Sequence, residues 1–267
     1  MELRGTVGIL TGASRGVGVY LAQHLARAGV NLALAARDEA SLEGVADMVR
    51  GKGVRAITVA TDVTKRSDLQ RLVKRTAAEL GEVDLLVNNA GIEKYSFFEQ
   101  TAPNDIDNII KTNALGPQLL TRYVLPEMIE RRKGHIVNIA SAAGLTAFPY
   151  NTVYSSSKHA LVGFSRSLRE EMTEYNIGVS VICPSFVRDA GMFQDSKGGA
   201  RAPRLAGSVS PVEVAEQTIK AVQKNRPEVI VAPGLTKIID VLHALAPRLT
   251  TSVARRSGAY EFNKPEH

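Results

Sequence analysis

Along most of this 267-residue chain, short apolar or β-branched runs alternate with longer segments whose apolar residues recur at helical spacing. The strand-like runs are Val7 to Leu10, Leu32 to Ala35, Ala56 to Val59, Leu85 to Val87, His135 to Ile139, Val179 to Ile182 and Val229 to Val231. Between them lie helical-period segments at Val17 to Ala28, Ala40 to Arg50, Leu69 to Leu80, Ile109 to Ile129, Tyr154 to Glu174 and Val212 to Gln223. Helices inserted between buried strands require a parallel sheet covered on both faces. The pattern predicts one α/β domain over residues 1–267, doubly wound, with about seven parallel strands and its ligands at their carboxyl ends.

Two segments depart from this rhythm. Residues 185–210 carry Gly191, Gly198, Gly199, Pro203 and Gly207 with little periodicity, as expected of a lid loop on the substrate side. Residues 234–267 place Leu235, Ile238, Ile239, Leu242, Leu245 and Leu249 on one helical stripe, accompanied by Lys237, Arg248, Arg255 and Arg256. Such a basic amphipathic extension suits peripheral contact with a membrane surface, or packing on its own domain or a partner subunit.

Composition narrows the setting. With 44% hydrophobic residues the chain can bury one large core. The start lacks the pattern of a secretory signal, no apolar stretch reaches bilayer length, and the single cysteine, Cys183, cannot form an internal disulfide. A cytoplasmic setting is expected. The net charge of +6 comes from cations interleaved with acids, as in Arg66, Asp68, Arg71, Lys74, Arg75 and Glu79, which reads as a solvated helix face rather than a nucleic-acid surface.

Candidate chemistry lies in a few short motifs. After the first strand, Thr11-Gly12-Ala13-Ser14-Arg15-Gly16-Val17-Gly18 opens into a helix; glycines let backbone approach a pyrophosphate, and the helix N-terminus supplies N–H groups. The second strand ends in Ala35-Ala36-Arg37-Asp38, where an acid would grip the free ribose hydroxyls of NAD. Ala36 stands there instead, and Arg37 with Arg15 suits a 2′-phosphate. NADP(H) is therefore preferred, with NAD(H) the alternative if Asp38 takes the acidic role. Tyr154 and Lys158 fall four apart, on one helix face, with Ser141 thirteen residues upstream. A cation about 5 Å from a phenol, at an effective dielectric near 20, is worth roughly 3 kcal/mol, or about two pKa units. The expectation is a tyrosine whose pKa is lowered toward neutrality.

The glycines at 12, 16 and 18, together with Asn88-Asn89-Ala90-Gly91 and the Ser, Tyr and Lys above, resemble the short-chain dehydrogenase/reductase family. The resemblance runs from about Thr6 to about Val231 and implies a Rossmann-like three-layer sandwich and hydride transfer between a nicotinamide cofactor and a carbonyl or alcohol. By that resemblance Tyr154 donates the proton, Ser141 polarises the substrate oxygen, Lys158 lowers the tyrosine pKa and bonds the nicotinamide ribose, and Asn113 anchors a water. It further implies cofactor contacts from Gly12, Ser14, Arg15, Gly16, Val17, Gly18 and Arg37, and from Asp62 and the Val63 backbone at the adenine. Asn88, Ala90 and Gly91 would line the adenosine ribose, and Pro184 and the Val187 backbone would lie at the nicotinamide. Ser185 and Asp189 depart from the family pattern, where glycine and threonine are usual, and Asp189 would oppose the pyrophosphate unless it turns outward or pairs, as with Arg188. Ile92, Lys94, Tyr95, Ala143, Phe148, Met192 and Phe193 would surround the substrate, favouring an apolar ketone or aldehyde. A homodimer or homotetramer is expected and no metal is called for. A nonenzymatic dinucleotide sensor or scaffold is the competing reading from another class.

Overall fold

A computed structural model describes residues 1–146, 148–190, 207–234, 245–256 and 264–265. Met192, Phe193 and the stripe from Leu235 to Leu242 lie outside the described residues. Seven strands form the main sheet: β1 (Val7–Thr11), β2 (Asn31–Ala36), β3 (Ala56–Ala60), β4 (Leu85–Asn88), β5 (Gly134–Ile139), β6 (Ile177–Pro184) and β9 (Glu228–Val231). Two short strands, β7 (Phe186–Val187) and β8 (Ser208–Val209), pair separately. The main sheet is parallel throughout, in the order β3-β2-β1-β4-β5-β6-β9. Strands β1, β4, β5 and β6 are buried along their whole length, which is why they read as continuous apolar runs rather than alternating ones.

Helices cover both faces. Leu21 and Leu25 of α1 (Val17–Arg27), Leu42 and Val49 of α2 (Glu39–Arg50) and Val214 and Val222 of α7 (Pro211–Gln223) enclose one core with Leu10, Leu34 and Val87. On the opposite face, Leu69 and Leu72 of α3 (Arg66–Glu79), Leu120 and Val124 of α5 (Gly116–Arg131) and Leu168 and Met172 of α6 (Thr152–Met172) pack on Ile9, Leu86 and Ile136. Helix α7 starts on a capping box in which the Ser210 hydroxyl accepts from Glu213 N and the Glu213 carboxylate accepts from Ser210 N. Beyond β9, α8 (Pro247–Arg256) bears Arg248, Arg255 and Arg256 on its exposed surface, while Leu249 and the preceding Leu245 are 62% and 79% exposed.

The expected single helix from Ile109 to Ile129 is instead three pieces: α4 (Pro103–Ile110), a π turn over Lys111–Leu115, and α5. Pro103 opens α4 at its first position. The junction is crowded: a Cβ on Gly116 would come within 2.7 Å of the Val63 carbonyl oxygen. The π turn lodges one extra residue in the helical path and carries the fully buried Asn113.

Chain order fixes where a ligand belongs. From β1 the chain winds outward through β2 to β3, then returns to place β4 on the other flank of β1. The crossovers above β1 and β4 diverge, leaving a crevice at their carboxyl ends.

Candidate active site

The crevice is held by Thr11 and Asn89. The Thr11 hydroxyl accepts from Asn89 N and Ala90 N, both at 3.0 Å, and Asn89 Nδ2 donates to the carbonyls of Thr11 and Gly12 at the same distance. These bonds press the two loops so close that a Cβ on Gly12 would lie 2.8 Å from Ala90 Cα, and one on Gly18 would lie 2.0 Å from the Gly12 carbonyl oxygen. Gly12 and Gly16 also hold φ of 64° and 58°, where a side chain is strained. Helix α1 begins at Gly16 with no side-chain cap and no acid in its first turn, so its first N–H groups and dipole are left for an anionic ligand. Ser14 and Val17 are half-buried in this turn, and Arg15 and Arg37 are exposed.

Asp38, the residue expected to take the acidic role if the cofactor were NAD(H), is exposed. It caps α2, its carboxylate accepting from the backbone N–H of Ser41 at 3.4 Å and from the Ser41 hydroxyl. Asp62 accepts from Thr64 N at 3.0 Å and Thr64 Oγ1 at 2.7 Å, shaping the loop after β3 next to Val63. The Asn88 side chain turns away from the crevice, donating inside the sheet to Asn138 Oδ1 at 2.9 Å and Thr121 Oγ1 at 3.3 Å. These bonds tie β4 to β5 and α5.

Four residues converge at the carboxyl ends of β4, β5 and β6. Ser141 leaves β5 in extended conformation, and its hydroxyl caps the short turn Ala142–Gly144, accepting from Ala143 N at 3.1 Å. Ser155 ties this turn to α6 by donating to the Ala143 carbonyl at 2.6 Å. Tyr154, 7% exposed, lies one turn from the 2% exposed Lys158, and Ser141 hydrogen-bonds the phenol. Asn113 completes the set without touching Tyr154: its Nδ2 donates to the Ile92 carbonyl at 2.8 Å and to Ser157 Oγ at 3.0 Å, and its Oδ1 accepts from Ile92 N at 2.9 Å.

The electrostatics correct one expectation. Burial drives the Tyr154 phenol above its ordinary value of 10.0, the negative charge of Glu93 pushes it further, and the Ser141 bond pulls it back only in part. The Lys158 Nζ stands 5.6 Å from the ring centroid and donates to the Ile139 carbonyl at 2.9 Å. Burial brings Lys158 itself down to about 8. The protein by itself therefore keeps the phenol neutral and protonated.

Further along, Ser185 N donates to the Val231 carbonyl at 2.9 Å, while its buried hydroxyl has no hydrogen-bond partner among the described residues. Val187 pairs with Val209 across the small sheet. Asp189 takes a positive φ of 64° and sits 74% exposed with its carboxylate 3.5 Å from Arg188 Nε, so it turns outward and pairs. Within residues 185–210 the structure thus finds order at β7 and β8 where aperiodicity predicted only a loop. Of the residues expected around the substrate, Tyr95, Ala143 and Phe148 are at least half-buried, and Lys94 reaches to Asp105 of α4 at 2.6 Å.

Comparison with known proteins places this geometry. The short chain dehydrogenase family profile matches residues 6–199. The chain belongs to that family. It is an NAD(P)-dependent oxidoreductase, and the uncapped α1 terminus and glycine cradle fit a nicotinamide dinucleotide. The ketoacyl reductase HetN of Nostoc sp. is 37% identical over 267 residues, spanning 98% of this chain and 92% of its own. Dehydrogenase/reductase SDR family member 7B of Bos taurus is 33% identical, covering 95% of this chain and 83% of that protein. Among solved structures, an actinorhodin polyketide ketoreductase crystallised with NADPH superimposes with a TM-score of 0.81 at 30% identity, over 86% of this chain and 97% of that one.

Sequence reasoning missed two functional elements. Asn89, seen only as part of a motif, is the latch between the glycine turn and β4. Glu93, which affects Tyr154 and Lys158 alike, belongs to none of the motifs read from the sequence.

Proposed function

We propose that the chain is an NADPH-dependent carbonyl reductase, reversible as an alcohol dehydrogenase, acting on a mostly apolar ketone or aldehyde with Tyr154 as proton donor. The observation that carries this reading is the buried Tyr154 phenol, with Lys158 5.6 Å from its ring, beside a dinucleotide crevice. The cofactor, when bound, supplies the hydride. Reduction leaves negative charge on the substrate oxygen, which needs hydrogen-bond donors and then a proton. Ser141 offers a hydroxyl to that oxygen and Tyr154 offers both. Lys158, with a pKa of about 8, is largely an ammonium at neutral pH and steadies the phenolate left behind once the proton has gone. Asn113 holds Ile92 and Ser157 in place around the reacting groups.

NADPH is preferred over NADH because the end of β2 offers Ala36 and Arg37, and because Asp38 is committed to capping α2. The ketoacyl and polyketide reductase relatives support reduction as the working direction.

Tyr154→Phe removes the transferable proton and keeps the ring. With NADPH and a ketone panel, it should lower kcat by about 10²–10⁴-fold while NADPH binding, followed by fluorescence, stays near wild type. Full turnover in this variant would overturn the assignment.

A further inference from the structure

Tyr150 stands just ahead of α6 with a φ of 64°, a left-handed conformation uncommon for a bulky residue. Strain of this kind persists where the surroundings over-determine it, and it gathers at functional sites. Two contacts hold Tyr150 there. Its carbonyl accepts from Ser96 N at 2.9 Å, and its ring meets Phe97 edge-on, with centroids 5.4 Å apart and planes at 82°. The left-handed turn lets this carbonyl bond sideways to the 92–97 loop, while the carbonyl of the next residue, Asn151, already accepts from Ser155 N at 2.9 Å as α6 begins. Ile92, Lys94 and Tyr95, expected around the substrate, lie on this loop. Its near end is tied to α6 through Asn113, which bonds both polar groups of the Ile92 backbone and donates to Ser157 Oγ at 3.0 Å. Tyr150 ties its far end to the head of the same helix. From that head, bonds lead on to the reacting groups: Ser155, next to Tyr154, donates to the Ala143 carbonyl at 2.6 Å, and Ala143 N donates to Ser141 Oγ at 3.1 Å.

We propose that Tyr150 is a positioning residue for the carbonyl substrate: it keeps the 92–97 loop in register with Tyr154 and Ser141, so that a ketone resting on the loop presents its oxygen to both hydroxyls. This rests on the carbonyl reductase reading. The nucleotide end of the crevice has its own latch in Thr11 and Asn89, so Tyr150 acts on the substrate and leaves the cofactor alone. Displacing a reacting atom by about 1 Å can cost about 10²-fold in rate.

The test compares Tyr150→Phe, which keeps the ring, with Tyr150→Asn, which tolerates a left-handed φ but has no ring to meet Phe97. Each is made alone and together with Phe97→Leu, and kcat and KM for the best ketone of the panel, the Kd for NADPH by fluorescence, and Tm are measured. Tyr150→Phe should stay within about twofold of wild type in every kinetic parameter. Tyr150→Asn should lower kcat/KM by about tenfold or more, with part of the loss in kcat, while the Kd for NADPH stays within about twofold. In the Phe97→Leu background the same substitution should cost little more, because the ring contact is already gone. A fall in Tm with kcat/KM unchanged below the transition would show the pair to be only structural and overturn the proposal. Fully additive losses, or a matching rise in the Kd for NADPH, would overturn it as well. Lack of turnover of any ketone by the wild type would instead remove the reductase reading, and this inference with it.

Discussion

At the scale of single residues, the proposed preference for NADPH rests on the arginine that follows Ala36. Arg37 is exposed at the end of β2, and Asp38 beside it accepts from Ser41. Arg37→Ala should raise the Kd for NADPH by about tenfold or more and leave that for NADH within about threefold, as measured by fluorescence titration. An equal change for both cofactors would return the NAD-linked reading. Asn113, Ser141, Tyr154 and Lys158, proposed here for the reacting centre, could be named from the chain because each is a chemically distinct type at a motif position. The behaviour of the phenol was not, since it is set by burial and by Glu93, whose hydrogen bond to Asn151 spans 58 positions. Asn88 shows the same limit, for the motif names the residue while its neighbours Asn138 and Thr121 decide where its amide points.

At the scale of elements, hydrophobic periodicity located every strand of the main sheet, because strands buried on both faces leave uninterrupted apolar runs. It could not separate α4 from α5. A π turn keeps the chain helical while shifting the phase by one residue, and the apolar pattern runs on through it. Helix α8 tests the peripheral-contact idea: its Leu249, with Leu245 just before it, is exposed beside Arg248, Arg255 and Arg256. If this face meets lipid, the full chain should sediment with vesicles of anionic phospholipid, with binding falling as salt rises, and a chain ending at Gly234 should stay in the supernatant. Equal sedimentation of both would assign the stripe to protein packing. Among the described residues no helix is long and apolar enough to cross a membrane.

At the scale of the whole molecule, the two ends of the sheet do different work. The carboxyl ends hold the crevice, while near the amino ends His135 of β5 is 1% exposed, with Nε2 2.9 Å from Ser180 Oγ of β6. Burial, helped by the N-terminal ammonium and Arg169, lowers this imidazole from 6.5 to about 3. Below about pH 6.5 the unfolded chain takes up a proton that the native state refuses until about 3, so stability falls as pH drops through this window, by up to about 1.4 kcal/mol per unit. Urea unfolding at pH 7 and pH 5 should differ by about 2 kcal/mol from this residue, and His135→Gln should remove that share of the difference. An unaltered difference in the variant would show that other groups govern acid sensitivity.

The single amide of Asn113 joins Ile92, on the loop that carries Glu93, to Ser157 on the helix that carries Tyr154. Two borders of the cavity are thereby riveted to a common post and cannot spread independently. New substrate shapes would be admitted by trimming or swapping individual side chains along these borders, and any replacement of Asn113 itself would loosen both borders at once.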